Sequence, residues 1–473
     1  MRIKEAAFLR EVPVFSGQSG IEDMLRAEEK RRDRTVVVLD DDPTGIQTVH
    51  DVYVYTDWSL ESLIEAFSEV QCFFIHTNTR ALSEDEAAEI NRTVMKNCIL
   101  ASRKTGRDFT VISRSDSTLR GHYPLETSVL RAVYEAGMKQ KVHGEVLIPC
   151  FFEGGRYTFG DTHYVRENSE FIPVSETEYA GDTVFGFKSS NLREYVEEKT
   201  NGRWKSGDVV SMPLELMRRG DTEEILHILM SVKRFCKVVV NAMSYDDLRV
   251  FLVALFEAER NGKRFIYRTA ASFVKAYCMI KDRELLRAVD IYGADSGVKK
   301  VLTVVGSHIK KSTDQLANLL RMDSVRGIEV DVERVLKDKS LRQKEIKKTS
   351  KAVEIAFESY INPVLYTSRK LVRVFSTDGN LLIARTISRA LVEIVKNTGK
   401  KASCIIAKGG ITASDILVNG LGVKRAKVAG QVFPGVPLLY VSNVEGWNSI
   451  AFIIYPGNVG DQGALVEVYK TVA

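Results

Sequence analysis

Apolar runs alternate with amphipathic stretches along most of the chain. The run Val36–Leu39 stops abruptly at Asp40-Asp41-Asp42 and then at Pro43-Thr44-Gly45. Further runs at Val52–Tyr55, Cys72–His76, Phe109–Ser113 and Val146–Pro149 predict strands. Between them, Glu84–Leu100 predicts a helix, with Ser83 as N-cap and Glu86 completing a capping box. Strands alternating with helices predict a largely parallel sheet with crossover helices. The polar stretch 1–34 predicts a partly helical lead-in.

A second module is predicted after about residue 285, beyond the polar stretch 281–298. Its expected strands are Lys299–Gly306, Lys370–Ser376, Ser403–Ala407, Leu438–Val441 and Ile450–Tyr455. Ser312–Leu320 predicts a helix capped by Ser312, and the Lys/Arg-rich stretch 334–352 an exposed helix or long connection. The expected fold class is therefore α/β, in two domains. Each is a mainly parallel sheet with helices, and a ligand cleft is expected between them. The expected division is a lead-in over 1–34, one domain over 35–285 and another over 286–473.

Four segments of the first domain share a design, a strand followed by a polar knot. They are Asp40–Gly45, Thr77–Arg80, Ser113–Gly121 and Glu153–Arg156. In a parallel sheet such strand ends lie side by side, where α/β folds place their ligands. Arg80, Arg114 and Arg156 suit a carboxylate, because guanidinium binds it through two parallel hydrogen bonds. The Asp, Ser and Thr groups suit a polyhydroxylated molecule. The second domain is rich in glycine turns instead: Gly306-Ser307-His308, Gly409-Gly410-Ile411-Thr412, Gly430–Gly435 and Pro456–Asp461. Glycine lets backbone N–H groups approach an anion, so Gly409-Gly410 with Thr412 is a candidate phosphate cradle. Thr412 and Ser414 are placed to cap a helix beginning near Asp415.

Composition narrows the choice. Across 473 residues, 44% are apolar and 27% charged, as in ordinary globular proteins. A net charge of +5 from 67 basic and 62 acidic residues offers no nucleic-acid footprint. The six cysteines are dispersed, without a C-x-x-C pair, which argues against a zinc site or disulfide framework and for a reducing compartment. No apolar run approaches the ~18 residues of a membrane span, and no signal-peptide core is visible, so a cytoplasmic location is expected. Walker, G-x-G-x-x-G, protein-kinase and G-x-S-x-G patterns are absent, and the seven histidines lack metal-ligand spacing.

With these segments in view, the chain resembles the four-carbon acid sugar kinases from about residue 35 onward. The markers are Asp41–Gly45, Thr79-Arg80, Asp116-Ser117-Thr118 with Arg120-Gly121, Gly155-Arg156, Gly409–Thr412, Phe433–Pro437 and Gly457–Gly460. The resemblance implies ATP- and Mg²⁺-dependent phosphorylation of threonate, erythronate or their 3-oxo forms. It implies a sugar-acid domain followed by an ATP domain. By motif position, Asp41, Arg80, Arg114, Ser115, Asp116, Ser117 and Arg156 would contact the substrate. Asp41 or Asp42 would orient or deprotonate the hydroxyl. Ser307, Gly409, Gly410, Ile411, Thr412, Gly435, Gly457 and Asn458 would contact the nucleotide. The family pattern often has Ala at the position of Asp40 and Lys at that of Arg114. Expected partners are the small-molecule sugar acid and ATP, with no nucleic acid and no membrane, and a homodimer by default. A non-catalytic sensor on the same fold, or a hydroxy-acid enzyme that is not a kinase, are the alternatives. ATP consumption separates them.

Overall fold

The computed structural model describes residues 2–17, 20–294, 297–369, 377–442, 444, 447, 449–457 and 459–473, the side chains of 377–381 excepted. It divides into two compact units, Met1–Thr48 with Asp57–Lys281, and Val49–Thr56 with Asp282–Ala473.

The first unit is built on seven parallel strands. Their order across the sheet is Val210–Met212, Cys236–Val240, Gly144–Ile148, Phe265–Thr269, Asp108–Arg114, Arg34–Asp40 and Cys72–His76. Val37 and Val38 are fully buried, as a strand covered on both faces requires. Each such side chain stabilises the fold by about 1.5–3 kcal/mol. The chain enters the sheet at Arg34–Asp40, places Cys72–His76 on one side and then Asp108–Arg114 on the other. Strand order thus reverses at Arg34–Asp40, and the three aspartates start at its carboxyl end. The expected helix runs Glu84–Thr105, with both halves of the Ser83–Glu86 capping box formed. The lead-in contains helices Glu5–Glu11 and Ile21–Arg31. Ile3–Lys4 joins a small antiparallel sheet with Glu170–Pro173, Thr162–Glu167 and Arg156–Phe159.

The second unit carries five parallel strands, in the order Ile450–Tyr455, Cys404–Lys408, Val301–Val305, Asn362–Thr367 and Val325–Val330. Val436–Val441, Arg425–Phe433 and Tyr53–Tyr55 extend it as antiparallel strands. Its core gathers Val301, Val305, Leu316, Ile406, Ile453 and Leu465, among others. Here strand order reverses between Val301–Val305 and Cys404–Lys408.

Several expectations need correction. Tyr53–Tyr55 is a strand, but it pairs antiparallel with Arg425–Lys427, so the chain leaves the first unit at Val49 and returns at Asp57. The expected strand Lys370–Ser376 lies outside the described residues, and Asn362–Thr367 supplies a strand that periodicity had not marked. Ser312 is not a cap. The helix is Lys310–Leu319, preceded by Ile309, and Ser312 is buried within it. Its hydroxyl is within hydrogen-bond distance of Ser307 Oγ (2.9 Å) and Gly457 O (3.1 Å), and can donate to the carbonyl while accepting from the Ser307 hydroxyl. Thr412 and Ser414 also lie inside a helix, Gly410–Asp415, which continues as a π-turn over Ile416–Gly420. The stretch around 334–352 folds as helices Val332–Lys337 and Lys339–Glu358.

Candidate functional site

In the first unit, sheet register sets His76, Asp40, Arg114 and Thr269 in one row at the carboxyl ends of neighbouring strands. The backbone beyond that row is stitched together. Asp41 N donates to Arg114 O (3.3 Å), Arg80 N to Asp41 O (3.3 Å) and Ser115 N to Thr269 O (2.8 Å). Three of the four polar knots therefore converge.

Their side chains form a network of alternating charge. Arg80 donates to both carboxylate oxygens of Asp41, through Nη2 to Oδ1 (2.5 Å) and Nε to Oδ2 (3.3 Å). Its Nη1 lies 3.4 Å from Asp42 Oδ2 and 3.7 Å from Asp116 Oδ1. The Ser115 hydroxyl also donates to Asp41. Thr44 donates to Asp42 Oδ1 from its backbone N–H (2.8 Å) and its hydroxyl (2.5 Å). Arg120 Nε and the Thr118 hydroxyl donate to Asp116. Arg114 Nη1 donates to Asp40 Oδ1 at 2.9 Å.

These contacts separate the acids. Burial opposes ionisation of Asp42, yet Arg80 and the Thr44 donors hold its carboxyl below the usual range. Asp116 is held well below that range against burial by Arg80 and Arg120. Asp40 goes the other way: burial pushes it up to about 7, with Asp41 and Asp42 adding repulsion that Arg114 only partly offsets. His76 is pushed down to about 4 by burial, despite the nearby aspartates.

Arg156 stands apart from this network. Its hydrogen bonds go to Gly154 O and the Tyr179 hydroxyl (3.5 Å). A partial link runs through His163, whose ring nitrogens meet Thr158 Oγ1 (2.9 Å) and Ser117 O (2.7 Å). Sequence reasoning missed Arg268, which donates to Glu126 Oε2 (2.5 Å) and Ser113 Oγ (3.0 Å) beneath the knots. Its signal was the run Phe265-Ile266-Tyr267 ending in Arg268-Thr269, the same design as the other knots.

In the second unit the glycine turns meet at the reversal of strand order. Val305, Lys408 and Tyr455 share a row. Gly306 N donates to Lys408 O (3.2 Å), and Gly409 N to Tyr455 O (2.8 Å). A Cβ on Gly306 would overlap the Thr412 hydroxyl, so these two turns touch only because residue 306 lacks a side chain. Ser312 ties Ser307 to Gly457. Ser307, Gly409, Gly410, Thr412 and Gly457 are thus one cluster, with Ile411 exposed on its rim. Gly435 sits in the hairpin turn between Phe433 and Val436, and its N–H is already donated to Gln431 Oε1 (2.6 Å). Asn458 lies outside the described residues. Among the described residues no group of three or more His, Cys, Asp or Glu side chains is disposed to hold a metal ion. No helix among them is long and apolar enough to cross a membrane.

Comparison with known families agrees with this two-part layout. Residues 36–277 match the sugar-binding N-terminal domain model, and residues 302–465 the nucleotide-binding C-terminal domain model. The chain belongs to the four-carbon acid sugar kinase family. A Haemophilus influenzae family member, HI1011 of DUF1537, shares its fold (TM-score 0.62, 16% identity, 92% of this chain and 100% of that one). So does a Salmonella typhimurium LT2 protein described as a "putative tRNA synthase" (TM-score 0.68, 14% identity, 93% and 100%). No curated protein matches the chain. Asp40 and Arg114, two positions where this chain departs from the pattern the resemblance implies, pair with each other.

Proposed function

We propose that the protein is an ATP-dependent kinase that phosphorylates a hydroxyl group of a four-carbon sugar acid of the threonate, erythronate or 3-oxo-tetronate type. The observation that carries this reading is the pairing of two family units. One has a carboxylate-arginine network at its strand-order reversal, and the other has a glycine cluster at its own.

Ionised carboxylates accept hydrogen bonds from hydroxyl groups, and a sugar acid offers several. In this reading Asp41 or Asp42 orients one substrate hydroxyl and accepts its proton. The hydroxyl oxygen bonds to the γ-phosphorus, the bond from that phosphorus to the bridging oxygen breaks, and ADP leaves. Positioning and charge stabilisation supply most of the acceleration in such transfers. Arg80 holds Asp41, Asp42 and Asp116 in place, and Ser115 and Ser117 lie on the substrate side. Arg114 acts there through its buried pair with Asp40, and Arg156, which stands apart from the network, would reach the substrate only from its edge. Asp40, Asp41, Asp42 and Asp116 each face an arginine. Magnesium would be carried on the nucleotide phosphates and supply charge neutralisation there, which suits its preference for phosphate oxygens and water.

The test is ADP release from Mg-ATP against D- and L-threonate, D- and L-erythronate and the 3-oxo acids. A strong response to one compound is expected, and D41N should abolish it while ATP still binds. A flat panel with ATP binding intact would replace the kinase reading by a binding-only one. Turnover of D41N near the wild-type rate would remove Asp41 from its assigned role.

A further inference from the structure

The two units treat their cations differently. In the first, Arg80, Arg114, Arg120 and Arg268 each face a carboxylate. In the second, Arg369 and Lys408 stand at the glycine cluster with no carboxylate partner among the described residues. Arg369 follows the strand Asn362–Thr367, which pairs with Val301–Val305, so it emerges beside Gly306-Ser307-His308. Its Nη2 donates to Ser307 O (2.6 Å) and Thr313 Oγ1 (2.7 Å). Its Nε and Nη1 are buried and have no hydrogen-bond partner, and the same is true of His308 Nδ1. Three of the five guanidinium donors are therefore unused. Lys408 is fully buried, with its ammonium 3.8 Å above the Tyr455 ring and 3.3 Å from Pro456 O.

Buried cations and donors without an anion are unfavourable unless a ligand supplies one. Nothing among the described residues does so. Burial lowers the proton affinity of Arg369, and burial together with the neighbouring Arg369 lowers that of His308. A structural role for Arg369, fixing the Ser307 carbonyl, accounts for Nη2 alone. It leaves the other three donors unexplained.

We propose that Arg369 is the principal phosphate-binding side chain of the second unit, contacting the polyphosphate of the bound nucleotide with His308 beside it. This inference rests on the nucleotide reading given above and adds to it a residue that no glycine motif marks.

The test is calorimetric titration of the full chain with ATP, ADP, AMP and adenosine, using wild type, R369Q and R369K. Thermal unfolding of each variant checks the fold. R369Q should bind ATP and ADP at least tenfold more weakly and adenosine as the wild type does. R369K should recover part of the ATP affinity, because it restores charge without the planar fork. Raising the salt concentration should narrow the gap between wild type and R369Q. Wild-type ATP affinity in R369Q would overturn the inference while leaving the nucleotide reading intact. Equal losses for ATP and adenosine would also overturn it, in favour of the structural role. A wild-type protein that binds no nucleotide would overturn the nucleotide reading, and this inference with it.

Discussion

Arg114 Nη1 lies 2.9 Å from Asp40 Oδ1, and both side chains are almost wholly buried. Removing one member of such a pair strands a buried charge and costs about 3–5 kcal/mol, whereas removing both costs much less than the sum. D40A and R114M are each expected to destabilise the chain by that order. The double variant should recover at least 1 kcal/mol of the summed loss, a coupling of the size typical for contacting residues. Urea unfolding of the four proteins measures it. Strict additivity would mean that the pair does not couple.

The same pair sets a pH dependence. Asp40 titrates near 7 in the folded chain, mainly through burial, against an ordinary value near 4. The folded state thus holds a proton that the unfolded state has released between those values. Stability from this group is present below about pH 4 and declines as pH rises toward 7, by at most about 1.4 kcal/mol per pH unit. Relative to D40N, which cannot titrate there, wild type should lose stability from pH 5 to pH 7. A constant difference across that range would contradict the assignment.

Gly45 faces the same carboxylate. A Cβ at this position would overlap the Asp40 side chain. G45A should destabilise by about 1–3 kcal/mol, the usual effect of forcing volume into a packed site. The G45A/D40A double variant should be less impaired than the two single changes predict. Thermal melts decide the matter, and an unaltered midpoint for G45A would show that the turn relaxes freely.

Lys408 offers a proton-linked signature of anion binding. Burial, with Lys311 adding repulsion, pushes its ammonium down to about 7. At pH 8 it is mostly neutral in the free protein, and a bound polyphosphate would draw a proton onto it. ATP binding at pH 8 should therefore take up protons, seen as a binding enthalpy that varies with buffer ionisation. The uptake should shrink at pH 6, where Lys408 is already charged, and vanish in K408M. Uptake that persists in K408M would assign the effect elsewhere.

Much of this was legible in the residues themselves. An apolar run ending in polar side chains marks the carboxyl end of a buried strand, because the same backbone that must be covered must also surface. That rule located Asp41, Arg80, Arg114 and Asp116 by local order alone. The glycine turns around Ser307, Gly409 and Gly457 were visible for a similar reason: close backbone approach excludes side chains.

Local order could not say which charges satisfy which. Arg80 serves three acids that lie close to it only after strands are placed side by side. Ser312 looks like a helix cap in sequence, yet it is buried and bonded to Ser307 and Gly457, because the helix starts two residues earlier. Tyr53–Tyr55 reads as a strand but gives no sign of its antiparallel partner, more than 360 residues away in sequence. Arg369 carries no motif, and its unused donors exist only in three dimensions. Strand ends and tight turns are written in neighbouring residues, whereas charge pairing, sheet register and burial depend on distant ones, so only the tertiary structure decided them.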